Sequence, residues 1–229
     1  RNCNGARNRL ALFPERRNSW YSYLANAADE LGKDDEAIAY YQKILQANPN
    51  DYTAMFNMGV TYYNQDKYDE AETWLKKTLL VYPFYTSAHY FLGIIELDRS
   101  HLPQALMSFS TVFLINPQYR RSSTIVKYLT DIANVKDYTI EKSGTGDQTF
   151  AVQQEIMETK AALDKKYRLT TDVEDPITRQ LQALLEKLEY DDKSTDFWMQ
   201  FYVPFFRDVY AQKQYDLMVN YMFSGLQIK

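Results

Sequence analysis

A regularly repeated pattern of residues constrains this chain more than any other feature of its sequence. Alanine and proline each recur three times at one constant spacing, at Ala37, Ala71 and Ala105 and at Pro49, Pro83 and Pro117. A third marker, an apolar residue followed by a small one, precedes each alanine by a fixed interval, at Leu24-Ala25, Met58-Gly59 and Leu92-Gly93. A period of about 34 residues, shared by three independent markers, indicates a chain built from repeated structural units.

Each marker has a physical role in a pair of packed helices. The small residues allow two helix backbones to approach closely, and the large residue four positions after each alanine fills the space between neighbouring units. Proline ends the second helix, because the residue before a proline is driven out of the helical region. Gly32 is expected at the end of the first helix, where a residue in the left-handed conformation is common. With only seven glycines and seven prolines in 229 residues, long helices are favoured over a fold with many turns.

This pattern resembles the tetratricopeptide repeat, whose motif runs W-x2-L-G-x2-Y, then A-x3-F, then P. The three repeats are placed at residues 18–51, 52–85 and 86–119. At the tryptophan position of the motif, the chain has Tyr21, Met55 and His89 instead. The resemblance implies an all-α fold in which helix-turn-helix units stack into a superhelix with a concave surface.

The rest of the chain is divided around these repeats. Four segments are interpreted as the end of a degenerate repeat, a capping helix, a linker and a C-terminal helical region, at residues 1–17, 120–140, 141–149 and 150–229. The expected architecture is therefore three repeats and a capping helix, followed by about four additional helices, since a stack of repeats needs a terminal cap.

Helix signals continue in the C-terminal region. One helix is predicted over residues 150–168, and another from Asp175-Pro176, where a capping aspartate precedes a proline in the first turn. A third helix, starting near Ser194 and kinked at Pro204, contains a dense set of aromatic residues. Apolar residues at helical spacing normally face a core, so most of these aromatic side chains are predicted to be buried.

The sequence contains no recognisable catalytic, metal or cofactor site. His89 and His101 do not form a metal-binding pattern, and the single cysteine, Cys3, excludes both an internal disulfide and a cysteine-based zinc site. No nucleophile elbow, phosphate loop or dinucleotide motif is present. Neither an enzymatic activity nor a cofactor is expected. His89 is interpreted as a packed structural residue, and His101 as a residue of the turn between two helices.

Charge and hydropathy narrow the class of partner. The net charge is −4 and no basic stripe runs through the chain, so nucleic acid is not expected to bind. No run of 18 apolar residues exists, so no transmembrane segment is predicted in this chain. A protein or peptide partner is expected. Cytoplasmic and periplasmic or envelope-associated locations both stay open.

The resemblance implies where a partner binds, because tetratricopeptide repeats use side chains of their first helices on the concave face. The candidate residues are Tyr23, Asn26, Phe56, Asn57, Val60, Tyr63, Asn64, Tyr90, Phe91 and Ile94. One subclass of the family binds the C-terminal carboxylate of chaperones with asparagines and basic residues. Asn26 and Asn57 match those asparagines, but Ser22, Ser87 and Phe91 stand at the basic positions, so a carboxylate lacks its charge partner.

Two functional interpretations follow from these observations. In the first, the protein is a non-enzymatic scaffold or adaptor that binds other proteins through its repeat surfaces. In the second, it is a structural accessory subunit of a bacterial, envelope-associated complex. The apolar part of its concave face is then filled by its own C-terminal helices, because exposed apolar patches of that size are uncommon on soluble monomers.

Overall fold

Three helix-turn-helix pairs follow one another along the repeats. A computed structural model describes residues 17–134 and 148–225, and within that part of the chain it has twelve α-helices and no strand. The first six helices are α1 (Arg17–Glu30), α2 (Asp34–Ala47), α3 (Tyr52–Asn64), α4 (Tyr68–Val81), α5 (Thr86–Asp98) and α6 (Leu102–Ile115). The second helices of the pairs begin at the same constant spacing as the alanines and prolines of the sequence pattern. The predicted all-α repeat fold is confirmed.

Six further helices follow the repeats. They are α7 (Ser122–Asn134), α8 (Ala151–Glu158), α9 (Pro176–Glu186), α10 (Phe197–Phe201), α11 (Val203–Ala211) and α12 (Tyr215–Phe223). None of the helices among the described residues is long and apolar enough to cross a membrane. Cys3, nearly all of the predicted N-terminal segment and most of the predicted linker lie outside the described residues.

The turns inside the three pairs share one backbone geometry. Gly32, Asp66 and Ser100, which occupy the same position in successive repeats, have positive φ angles of 67°, 59° and 61°. After each of them, the next backbone N–H donates to a carbonyl five positions back, at 2.8–3.0 Å. This is the hydrogen-bond pattern of a left-handed helix end, so the prediction for Gly32 is confirmed. Lys213, between α11 and α12, has the same geometry with φ 57°, and the N–H of Gln214 donates to the carbonyl of Val209 at 2.9 Å.

Two compact units make up the chain, and the division between Phe91 and Leu92 falls inside α5. In the first unit, the core lies between α1, α2 and the start of α3. Small residues bring the helices together there, and larger apolar residues fill the remaining space. Its buried residues are Ala25, Ala28, Ala37, Ile38, Tyr41, Ile44, Ala54 and Met58.

The small residues of the first helices sit at points of close helix contact, as expected from the repeat pattern. A Cβ atom added at Gly59 would lie 3.1 Å from Cγ of Leu75 and 3.3 Å from the carbonyl oxygen of Ala71. One added at Gly93 would lie 2.6 Å from the ring of Phe109. The second contact is the tighter, because Phe109 is fully buried and its rigid ring has little freedom to move.

We expect Gly93→Ala to lower the free energy of unfolding by about 1–3 kcal/mol, the usual cost of overpacking a core. Gly59→Ala is the matched control. The added Cβ meets a less severe contact in Gly59→Ala, and alanine favours the helix over glycine by up to about 1 kcal/mol. The net effect of Gly59→Ala on the free energy of unfolding should therefore be small. Urea denaturation followed by circular dichroism measures both. A loss of stability in Gly59→Ala equal to that in Gly93→Ala would contradict this account.

The second unit is organised around α6. Eleven of the fourteen residues of this helix are buried, and α7, α8 and α12 all pack against it. The side chain of Gln154 on α8 closes the turn before α6. Its Oε1 accepts from the N–H of Leu102 at 3.0 Å, and its Nε2 donates to the carbonyl of Ser100 at 2.9 Å. The C-terminal helices are therefore an integral part of this unit.

Local sequence signals predicted the bounds of some C-terminal helices better than those of others. The predicted start at Asp175 is confirmed: its side chain accepts from the N–H of Ile177 at 2.8 Å, and the hydroxyl of Thr178 accepts from its N–H at 3.2 Å. The helix predicted over 150–168 was too long, since α8 ends at Glu158 and Lys160 takes a left-handed conformation.

The aromatic helix is divided into α10 and α11 at Tyr202. Pro204 lacks the N–H that would bond back to the carbonyl four positions earlier, so the helix breaks near the predicted kink. Trp198, Tyr202 and Phe206 are buried, as predicted for core residues. The other aromatic residues of this stretch are less buried than predicted, since Phe197, Phe201 and Tyr210 are half-buried and Phe205 is exposed.

Candidate partner-binding face

A polar contact joins the first helices of the first two repeats. The Oδ1 atom of Asn26 accepts from the hydroxyl of Tyr41 at 3.0 Å and lies 3.5 Å from Nδ2 of Asn57. One turn further along, the hydroxyl of Thr61 donates to Oδ1 of Asp29 at 3.0 Å. Burial raises the pKa of the Tyr41 hydroxyl, and the nearby Asp29 carboxylate adds to this effect, so the hydroxyl stays protonated and donates.

Aromatic side chains form a connected row beside this polar contact. The rings of Tyr82, Tyr52, Tyr85, Phe56, Phe91 and Tyr63 touch in that order, and we call this set the aromatic ladder. Successive ring centroids lie 4.9, 5.5, 4.8, 5.8 and 5.3 Å apart. Most of the pairs are edge-to-face or tilted, the arrangements that aromatic rings prefer.

One end of the aromatic ladder is open to solvent. Tyr52 is 37 % exposed, Tyr82 is 41 % exposed, and Phe84, whose ring contacts Tyr82 at 6.5 Å, is 66 % exposed. The remaining rings of the ladder are half-buried. Large aromatic side chains that are rigid yet accessible offer contact area at a low cost in side-chain entropy, which suits them to binding a partner.

The turn that carries these exposed rings is held by a buried histidine. The Nε2 atom of His89 donates to the carbonyl of Pro83 at 2.8 Å, and the ring is fully buried. Burial lowers the pKa of His89 to about 4, and the hydrogen bond to Pro83 only partly offsets this effect. His89 is thus a packed structural residue, as predicted, and it fixes the segment from Tyr82 to Tyr85 against α5.

The repeat family can now be assigned. Residues 21–93 match the family model of the tetratricopeptide repeat. Residues 21–93 therefore carry tetratricopeptide repeats. The match contains the whole aromatic ladder and both asparagines of the polar contact. No curated protein matches the chain.

Most of the predicted residues lie together on the first helices of these tetratricopeptide repeats. We call this surface the first-helix face, and its residues in the first unit are Tyr23, Asn26, Phe56, Asn57, Val60, Tyr63, Asn64 and Phe91. Tyr23, Asn26 and Asn64 are exposed, and the other members are half-buried. The asparagines have a structural role that the sequence did not indicate, since they link α1 to α3.

Two of the predicted residues are not among those of the first-helix face in the first unit. Tyr90 is only 2 % exposed and packs edge-on against Phe91 at 5.5 Å, so it supports the face from inside and offers almost no surface. Ile94 is half-buried in the second unit. A residue count along one helix cannot distinguish a side chain at the edge of the concave stripe from one turned inward.

Sequence reasoning missed the open end of the aromatic ladder. Tyr82, Phe84 and Tyr85 belong to the connection between the second and third repeats, and Tyr52 is the first residue of α3. None of them is at the first-helix positions from which the face was predicted. A signal was available, because the run Tyr82-Pro83-Phe84-Tyr85 places three aromatic residues around a proline. Aromatic residues in a surface connection are unusual enough to indicate either packing or binding.

The other histidine, His101, stabilises the turn between α5 and α6. Nδ1 of His101 lies 2.8 Å from Oε2 of Glu96, whose buried carboxylate also lies 3.5 Å from Arg99. This arrangement closes the turn between α5 and α6 and offers no metal site. Within residues 17–134 and 148–225, no group of three or more histidine, cysteine, aspartate or glutamate side chains is placed to hold a metal ion.

We expect stability to fall as pH decreases from about 6.5 towards about 4, partly through His89. Its pKa is lower in the folded state than in the unfolded state, so the unfolded chain takes up the proton first. The contribution of neutral His89 to the free energy of unfolding is fully present above the pKa of the unfolded state. As much as about 3 kcal/mol of it is lost by pH 4.

His89→Gln is the matched variant, because its amide can donate to Pro83 without titrating. Urea midpoints measured between pH 4 and pH 7 should show a steeper acid loss in the native protein than in this variant. Parallel curves would show that His89 does not contribute in this way.

Proposed function

We propose that this protein is a non-enzymatic scaffold or adaptor that binds a segment of another protein on its first-helix face. Tetratricopeptide repeats generally mediate protein–protein interaction, and the residues that carry the proposal belong to the matched repeats. The observation on which it rests is the partly exposed aromatic ladder. The strongest contacts of protein interfaces are enriched in aromatic residues that fill well-packed sites.

The polar contact supports the same use of this surface. Asn26, Asn57, Thr61 and Asp29 connect α1 to α3 by hydrogen bonds, so the first helices present a surface that is fixed before any partner arrives. A preorganised surface loses little entropy when it binds. The face therefore combines rigid backbone positions with accessible aromatic side chains.

A second candidate function is that of a structural accessory subunit whose groove is filled by its own C-terminal helices. Packing of those helices on the second helix of the third repeat, α6, favours it. The tail helices α8 and α12 pack on α6, and Gln154 closes the turn that precedes this helix. A Cβ atom added at Gly225 would lie 2.5 Å from the carbonyl oxygen of Pro117, so the end of the described chain also lies close to the repeat.

Site-specific photo-cross-linking tests the first-helix face in native extract. We expect p-benzoylphenylalanine at Tyr23 or at Asn64 to cross-link one common partner, since both positions are exposed on the face. Gln42 on α2 and Thr73 on α4 are the matched controls, because they are exposed on second helices of the same unit. Mass spectrometry of the adducts identifies the partner and the cross-linked segment.

The distribution of adducts decides between the two candidates. An adduct at the face positions alone supports the scaffold. Equal cross-linking at all four positions, or a partner cross-linked only from second helices, would contradict the first-helix face as the binding surface and would favour an accessory subunit held by another surface.

A further inference from the structure

We propose that the first-helix face binds a protein segment that places apolar or proline residues on the aromatic ladder and an arginine at the opposite end of the face. This inference rests on the proposed scaffold function and adds the chemistry of the partner. Its basis is a separation along α3: the exposed aromatic rings lie at one end of the helix, and Asp29 and Asp66 lie at the other.

The two ends of α3 are far enough apart to contact different residues of one bound segment. Tyr52 begins α3 and Asn64 ends it, and a helix of 13 residues is about 18 Å long. Tyr82 and Phe84 extend the aromatic surface beyond Tyr52. An extended segment that covers this length needs only about five or six residues, because an extended chain advances about 3.3 Å per residue.

Carboxylates occupy the end of the face where α1 and α3 terminate. Asp29 lies in the last turn of α1 beside Thr61, and Glu30 is exposed next to it. Asp66 follows α3 and is exposed, and its Oδ1 accepts from the hydroxyl of Tyr68 at 3.1 Å. The last turns of both helices contain no basic residue.

The basic residues that follow α1 and α3 in the sequence have contacts of their own. Lys33 lies 3.8 Å from Glu36 on α2, and Lys67 lies over the ring of Tyr62 at 5.9 Å. On the described first helices of this unit, the one basic residue is Arg17, which begins α1 at the opposite end. The carboxylate end therefore complements a cation brought by a partner.

Arginine fits this end better than lysine does. A planar guanidinium pairs with a carboxylate through two parallel hydrogen bonds and also stacks on aromatic rings, whereas an ammonium acts as a point charge. Both kinds of group are close together here, because the rings of Tyr63 and Tyr68 lie 5.6 Å apart and Tyr68 contacts Asp66. The rest of the segment lies along the aromatic ladder, where proline, aliphatic or aromatic side chains gain the most.

Selection from a displayed library of random dodecapeptides against the full chain tests this proposal while the natural partner is still unidentified. We expect the enriched peptides to combine arginine with proline, aliphatic or aromatic residues, and to contain arginine more often than lysine. Enrichment of acidic or uncharged polar peptides would overturn the inference about chemistry while leaving a binding scaffold in place. A library from which no sequence is enriched would count against the proposed function itself.

Affinity measurements with the most enriched peptide locate the cation. Fluorescence anisotropy should show that Asp29→Asn combined with Asp66→Asn weakens binding about fivefold, the effect expected for exposed charge pairs. Both changes are mild, because asparagine still accepts from Thr61 and tolerates the left-handed backbone of Asp66. Asp51→Asn removes the same charge at the other end of α3 and keeps the helix cap, so its affinity should not change.

A second pair of variants tests the aromatic end of the first-helix face. Tyr52→Ser should weaken binding of the same peptide, whereas Tyr221→Ser, which removes an exposed tyrosine from α12, should not. Circular dichroism verifies that each variant is folded. Equal losses in Asp51→Asn and in the double variant, or no loss in Tyr52→Ser, would show that the peptide does not lie along α3 in the proposed direction.

Discussion

The close contact between the first and second helix of each repeat is the constraint on which the rest of the structure depends. Gly59 and Gly93 leave room for Leu75 and Phe109, and the left-handed residue after each first helix returns the chain at a fixed angle. When both conditions recur in every repeat, each new first helix is placed beside the previous one. The polar contact and the aromatic ladder exist because this spacing brings α1, α3 and the start of α5 side by side.

A single surface in the first unit combines stabilising contacts with the side chains that we propose for recognition. Tyr41 fills the core between α1 and α2, and its hydroxyl reaches Asn26 at the edge of the first-helix face. His89 is buried, yet it holds the turn that exposes Tyr82 and Phe84. If the exposed rings bind a partner as we propose, mutations at these supporting positions alter binding by moving the rings, and a loss of binding is then accompanied by a loss of stability.

Much of the repeat fold could be predicted from the sequence, because its helix ends depend on local backbone rules. The prolines, Gly32 and the Asp175 cap each act within a few residues, and in the structure a helix ends or begins beside each of them. Other features depend on contacts between distant residues. The early end of α8, the burial of Tyr90 and the connection of Tyr52 to Tyr82 and Tyr85 follow from packing that no short pattern records.

The turn at Lys213 shows what the repeat geometry requires of a sequence. It has the same left-handed residue and the same returning hydrogen bond as the three turns in the repeats, although the residues around it lack the small-residue markers. Three of these four turns use a residue other than glycine, at a cost of about 1 kcal/mol each, so the fold tolerates the loss of its preferred residue. The shape of such a helical hairpin therefore depends on the conformation of one turn residue and on its returning hydrogen bond, and does not require the small-residue markers.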